Sequence, residues 1–197
     1  MKRVSLLLIV AMVGMAALVP LLARTMHADV IDRNDTQGLL DVRKVHISPK
    51  DPPRYTVRTF ARWTVPEMWD AGYEVVHFDS RGDGHFDYYA MVRSDGVELK
   101  GTLFRDRKRQ EDYRVSNLKV WRPDKQRVTV RVPLGSIRVP KSRSYYRWYV
   151  DTLFVGDNCR STCIDRVPND GSVREVLRPS PTPSISPSPT ITILPTP

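Results

Sequence analysis

Three aspartates at a spacing of four, Asp79, Asp83 and Asp87, sit in the stretch DSRGDGHFDYY with Gly82 and Gly84 between them. Carboxylates interleaved with turn-forming glycines suit a hard cation, because calcium takes roughly six to eight oxygen ligands from a chain able to curl around it. With Asp79 as position one of an EF-hand loop, Asp83 falls at five, Gly84 at six, His85 at seven (a backbone carbonyl ligand) and Asp87 at nine. Two positions depart from that pattern. Arg81 stands where an oxygen ligand belongs, and Ala90 stands where a bidentate Glu belongs. The loop is therefore not an EF-hand, and calcium held by Asp79, Asp83, His85 and Asp87 needs ligands from elsewhere in the fold. The competing arrangement is a hairpin loop whose aspartates cap backbone amides while Arg81 pairs with a neighbouring carboxylate.

A second set of residues suits binding rather than catalysis. In YYRWYV, Tyr146, Trp148 and Val150 alternate with Tyr145, Arg147 and Tyr149, so one face of a strand enters the core and the other is free to meet a ligand. With Trp121, the rings of Tyr145 and Tyr149 are the candidates for stacking on a sugar. Signatures of catalysis are missing. There is no G-x-S-x-G elbow, no HExxH and no glycine-rich phosphate loop. No pair of carboxylates stands out as a glycosidase pair, and His46, His77 and His85 are scattered. The chain reads as a non-enzyme.

These residues need strands to position them. Alternating β-branched, aromatic and polar residues predict strands at 39–47, 54–63, 73–79, 86–93, 97–104, 113–121, 127–133 and 145–155, with a short edge strand at 172–177. Ser94-Asp95-Gly96 marks a tight hairpin turn, and SPKDPPR breaks the first strand from the second. Thr64, Pro66, Glu67 and Gly72 carry the start and stop signals of one short helix. Strands recurring about every ten residues, without βαβ alternation, argue for an all-β sandwich or barrel. The expected architecture is an antiparallel β-sandwich of about eight strands, jelly-roll or immunoglobulin-like, over residues 29–178. The stretch CRSTCIDRVPNDG reads as a long irregular loop.

Both ends differ in composition from this middle. Residues 1–28 have the layout of a secretory signal: Lys2 and Arg3, an apolar run, and small residues at Ala23 and Ala28. Left uncleaved, the run has the length of a membrane anchor, which would be the chain's one route to a membrane. Residues 179–197 hold no charge and are dominated by Pro, Ser and Thr, the composition of a disordered, extended stalk. Export implies a secreted or cell-surface protein, and in that setting Cys159 and Cys163 read as a disulfide. The formal charge is +9, spread over the chain with a local cluster at RDRKR. It suits a solvated surface or an anionic cell-envelope polymer, and export excludes a nucleic-acid partner.

The segments GLLDVRKV, TVRTFARW, HFDSRGDGHFDYYAMV, DGVELKGTLF and YRWYV, followed by CRSTCIDRVPNDG, resemble a family of secreted bacterial β-proteins. Their layout is similar to DOMON-like domains and to family 9 carbohydrate-binding modules. The resemblance spans roughly residues 35–171 and implies a β-sandwich that binds sugar between aromatics and holds calcium. A haem-binding role, the other DOMON activity, lacks an identifiable Met/His pair here. The expected function is thus a non-catalytic exported module that binds a glycan or another envelope polymer and is stabilised by calcium. A purely structural or adhesive surface protein without a small-ligand site is the alternative from a different class, and an enzyme of unknown type is the lesser one.

Overall fold

The computed structural model describes residues 29–48, 51–156, 159 and 161–177. The expected signal segment, 1–28, and the Pro/Ser/Thr-rich tail lie outside these residues. Among those described, no helix is long and apolar enough to cross a membrane.

Eleven strands form one antiparallel sheet: β1 (Val30–Ile31), β2 (Val42–Ser48), β3 (Arg54–Thr59), β4 (Gly72–Asp79), β5 (Tyr88–Ser94), β6 (Leu99–Arg105), β7 (Tyr113–Asp124), β8 (Arg127–Arg131), β9 (Tyr145–Phe154), β10 (Cys163–Val167) and β11 (Val173–Val176). Their order is β1-β2-β3-β8-β7-β6-β5-β4-β9-β10. β11 lies beside β9 as well: β10 pairs along Val150 to Phe154, and β11 pairs along Tyr145 to Trp148. The all-β class is as the alternation predicts. The arrangement is not an eight-stranded sandwich; the sheet curls into a nearly closed barrel.

Strand β7 is the reason. Its first half pairs with β6 as far as Leu118, and its second half pairs with β8 from Lys119 onward, so one strand turns the corner between two half-sheets. Gly101 on β6 faces that corner. A side-chain carbon there would lie 2.4 Å from Val120 Cγ2, a space only glycine leaves open. At the other end of the strand order, the Val42 amide of β2 donates to Asp165 Oδ2 of β10 at 2.6 Å, which draws the sheet's two ends together.

Inside, Tyr55 meets Phe78 and Trp148 edge to face, with centroids 5.3 and 5.8 Å apart. Its hydroxyl shares a 2.5 Å hydrogen bond with that of Tyr146. Tyr146, Trp148 and Val150 are all buried, as the alternation of β9 requires.

Two local expectations are corrected. Thr64 to Gly72 holds only a 3-10 turn, Pro66–Met68. The Glu67 carboxylate accepts from the Thr64 amide at 2.5 Å, but Trp69 is already extended and Gly72 opens β4 instead of ending a helix. The segment after Cys159 is not all loop. Cys159 and Cys163 are joined in a disulfide, and Cys163 begins β10. β10 escaped the pattern because its alternation is CIDRV, in which the inward residue at the centre is Asp165 rather than an apolar one.

Candidate functional site

The acidic loop joins β4 to β5 and is built around one carboxylate. Asp79, the last residue of β4, is fully buried. Its Oδ1 accepts from the amides of Gly82 at 2.6 Å and Asp83 at 3.2 Å, and its Oδ2 accepts from Gly84 at 2.7 Å. This circle of amides requires the chain to reverse twice, and Gly82 and Gly84 do so at φ of +68° and +88°. Asp83 is exposed and accepts from the His85 amide at 2.9 Å. Asp87 is buried, accepts from the Ser80 hydroxyl at 3.1 Å, and has Arg81 Nε 4.0 Å from its Oδ1. A cation in this loop would share Asp79 with its three amides and Asp87 with Arg81.

The rings singled out in the sequence are half-buried and already engaged. Tyr145 packs against Gly82 of the acidic loop, where an added side-chain carbon would lie 2.9 Å from its ring, and the Arg174 guanidinium sits 3.8 Å from its centroid. Tyr149 stacks on His77 at 4.3 Å and 12°, takes the edge of Phe86 at 4.6 Å, and has the Arg166 guanidinium 4.5 Å from its centroid. Trp121 lies under Arg54 at 5.5 Å. Tyr149 and His77 belong to a row crossing four strands on the outer face: Phe104, Tyr89, His77 and Tyr149 from β6, β5, β4 and β9. His77 stacks on Tyr149 and Tyr89 on Phe104, and a tilted contact at 6.0 Å joins His77 to Tyr89. Asp151 anchors the end of this row. Arg166 grips it with two hydrogen bonds at 2.8 and 2.9 Å, and His77 Nε2 lies 3.3 Å away. Burial opposes ionisation of Asp151, yet the bonds from His77 and Arg166 outweigh it and hold the carboxyl below its usual range.

Among the described residues three aromatics are exposed, Trp69, Tyr113 and Tyr73, and none of them is among the rings named from the sequence as sugar contacts. Trp69, just after the 3-10 turn, is 66% exposed. Its indole rests against the Asp95-Gly96 turn, where a side-chain carbon at Gly96 would lie 3.5 Å from the ring. Val97, the residue after Gly96, is 87% exposed. Trp69 is hard to find from the sequence because TVPEMWDAG resembles a helix, which would bury its apolar positions.

Four aspartates gather at the seam between β2 and β10. Ligand oxygens of Asp32, Asp35 and Asp165 lie within 4.8 Å of one another. Asp41, immediately before β2, lies near enough to feel the charge of Asp35 and Asp32. Burial, then repulsion from Asp35 and Asp32, pushes the Asp41 carboxyl up to about 6. Burial, opposed by the Val42 amide and reinforced by the other aspartates, pushes Asp165 up to about 7. No spacing in the sequence announces this set, since it joins residue 32 to residue 165.

One further carboxylate is enclosed. Glu74 of β4 points inward, is 4% exposed, and has no partner for its Oε1. It lines a cavity of about 10 Å³ with Trp63, Met68 and Val92, room for about one water. Burial raises its pKa to about 8, although the nearby Arg122 favours the charged form. Arg122 itself lies 3.8 Å from the Trp63 ring centroid and donates to the Trp63 carbonyl at 2.9 Å.

No protein-family model matches the chain, and no curated protein or solved structure is similar enough to mark a relative.

Proposed function

We propose that this is a non-catalytic, exported binding module that recognises a carbohydrate or another cell-envelope polymer, with Trp69 as its contact. The observation that carries the reading is the exposure of Trp69 on the Gly96 turn beside Val97. An indole is the side chain best suited to cover the apolar face of a sugar while its N–H bonds a hydroxyl. Tyr145, Tyr149 and Trp121 serve the fold in this reading, because guanidinium groups and neighbouring rings engage them. The disulfide between Cys159 and Cys163 fits an oxidising compartment outside the cell.

The test is a glycan array with the purified protein, followed by calorimetry on any glycan retained. Trp69→Ala is expected to weaken binding at least tenfold, about 1.4 kcal/mol. Failure of the wild type to retain any envelope glycan or anionic polymer would sink the proposal. It would leave the purely structural or adhesive reading, which the engaged state of the other rings favours.

A further inference from the structure

The seam where the sheet almost closes is held by unlike parts of the chain: the segment after β1, the residue before β2, and β10. Each brings a carboxylate to the same place. Asp35 is exposed, whereas Asp32 is 8% exposed, Asp41 3% and Asp165 3%. Some of their oxygens are already used. Asp165 Oδ2 accepts from the Val42 amide at 2.6 Å, and Asp35 Oδ2 accepts from Asn169 Nδ2 at 2.9 Å. Asp35 Oδ1 takes a long bond from the Thr36 hydroxyl at 3.4 Å. Asp32 Oδ2 and Asp41 Oδ1 are buried and have no partner. Among the described residues, none of the four joins an ion pair within 4.0 Å.

A buried, unpartnered carboxylate oxygen costs on the order of 1–3 kcal/mol, more when charged. Two of them in the neighbourhood of further carboxylates define a place for positive charge. We propose that Asp32, Asp35, Asp41 and Asp165 together bind a calcium ion that clasps the seam of the sheet.

The donor set selects the ion. All the side-chain donors are hard oxygens, which suit calcium or magnesium rather than zinc or copper. Calcium–oxygen bonds of roughly 2.3–2.6 Å place opposite ligands about 5 Å apart, whereas magnesium at roughly 2.1 Å holds them near 4 Å. The oxygens of Asp32, Asp35 and Asp165 all lie within 4.8 Å of one another, a spread that the calcium sphere accommodates. Asp41 also lines an open depression of about 520 Å³ with Asn34, Thr36 and Gln37. That depression gives an ion a route in and leaves room for the waters that complete its coordination. The disulfide that starts β10 fixes the strand carrying Asp165 two residues further on. This site shares no residue with the Asp79–Asp87 loop or with the Trp69 surface, so it stands or falls apart from the glycan reading.

The test uses the full chain stripped with EDTA and titrated with calcium chloride, by calorimetry and by thermal melting. The wild type is expected to bind calcium and to melt higher in millimolar calcium than in EDTA. Asp41→Asn is expected to bind at least tenfold more weakly and to lose the rise in melting temperature. In EDTA it should melt at or above the wild type, because it relieves repulsion, and this separates loss of the site from loss of the fold. Asp35→Asn, at the exposed side, should weaken binding in the same way if Asp41→Asn does not fold. Asp83→Ala should leave the calcium response intact. A wild type that neither binds calcium nor shifts its melt overturns the inference. So does a response lost in Asp83→Ala and kept in Asp41→Asn, which would place the ion in the loop between β4 and β5.

Discussion

Replacing Glu74 by Gln is expected to remove a pH dependence from the stability of the fold. Glu74 enters the core from β4 on the same side as Val76 and Phe78, and its Oε1 has no partner. Burial lifts its pKa from 4.5 to about 8 in the folded chain. Below pH 4.5 the carboxyl is protonated in both folded and unfolded states, and the fold keeps its full stability. Between 4.5 and about 8 the unfolded chain has lost the proton while the folded chain retains it, so stability falls as the pH rises. At roughly 1.4 kcal/mol per pH unit, the loss across that window is on the order of 4–5 kcal/mol, and the curve flattens above it. The glutamine variant carries no such slope. Urea unfolding at pH 5, 6, 7 and 8, extrapolated to water, should show the variant gaining on the wild type at each step. The comparison is read as a difference because Asp32, Asp41 and Asp165 also have raised pKa values and slope in the same direction in both proteins. Parallel pH profiles would refute the reasoning, since they would mean that Arg122 keeps Glu74 ionised inside the fold.

Asp79→Ala should cost about 1–3 kcal/mol by leaving the amides of Gly82, Asp83 and Gly84 without their acceptor. Those amides should exchange faster with solvent, and an unchanged exchange rate would show that the carboxylate does not order the loop. Replacing both Cys159 and Cys163 by Ser should cost at most about 2 kcal/mol, because the bridged segment is short. Amide exchange should accelerate around β10 and not in β4 or β5; acceleration throughout would show that the clip supports the whole barrel.

The strand faces were legible because the side-chain period in a strand is two, and a half-buried strand records it locally. Tyr55, Val57 and Thr59 on β3, and Tyr146, Trp148 and Val150 on β9, declare their buried side without reference to any partner. The Asp95-Gly96 turn is equally local: Asp95 Oδ1 accepts from the amides of Val97 and Glu98 at 3.0 and 2.8 Å, and Gly96 takes φ of +91°. The contest between cation and amides in the acidic loop was visible in Arg81 and the two glycines. What the period cannot report is which distant strands meet. The pattern of β7 fails at SNLK because the strand crosses there from one half-sheet to the other. That crossing is what turns an expected sandwich into a nearly closed barrel. Closure brings β10 beside β2, and only then do Asp32, Asp35, Asp41 and Asp165 share a place. The same holds for Glu74, which reads as an ordinary polar residue on a strand until the barrel encloses it. Local sequence determines which side of each strand is apolar. The register around the barrel decides which polar groups are shut in together, because that depends on pairings between residues far apart in the chain.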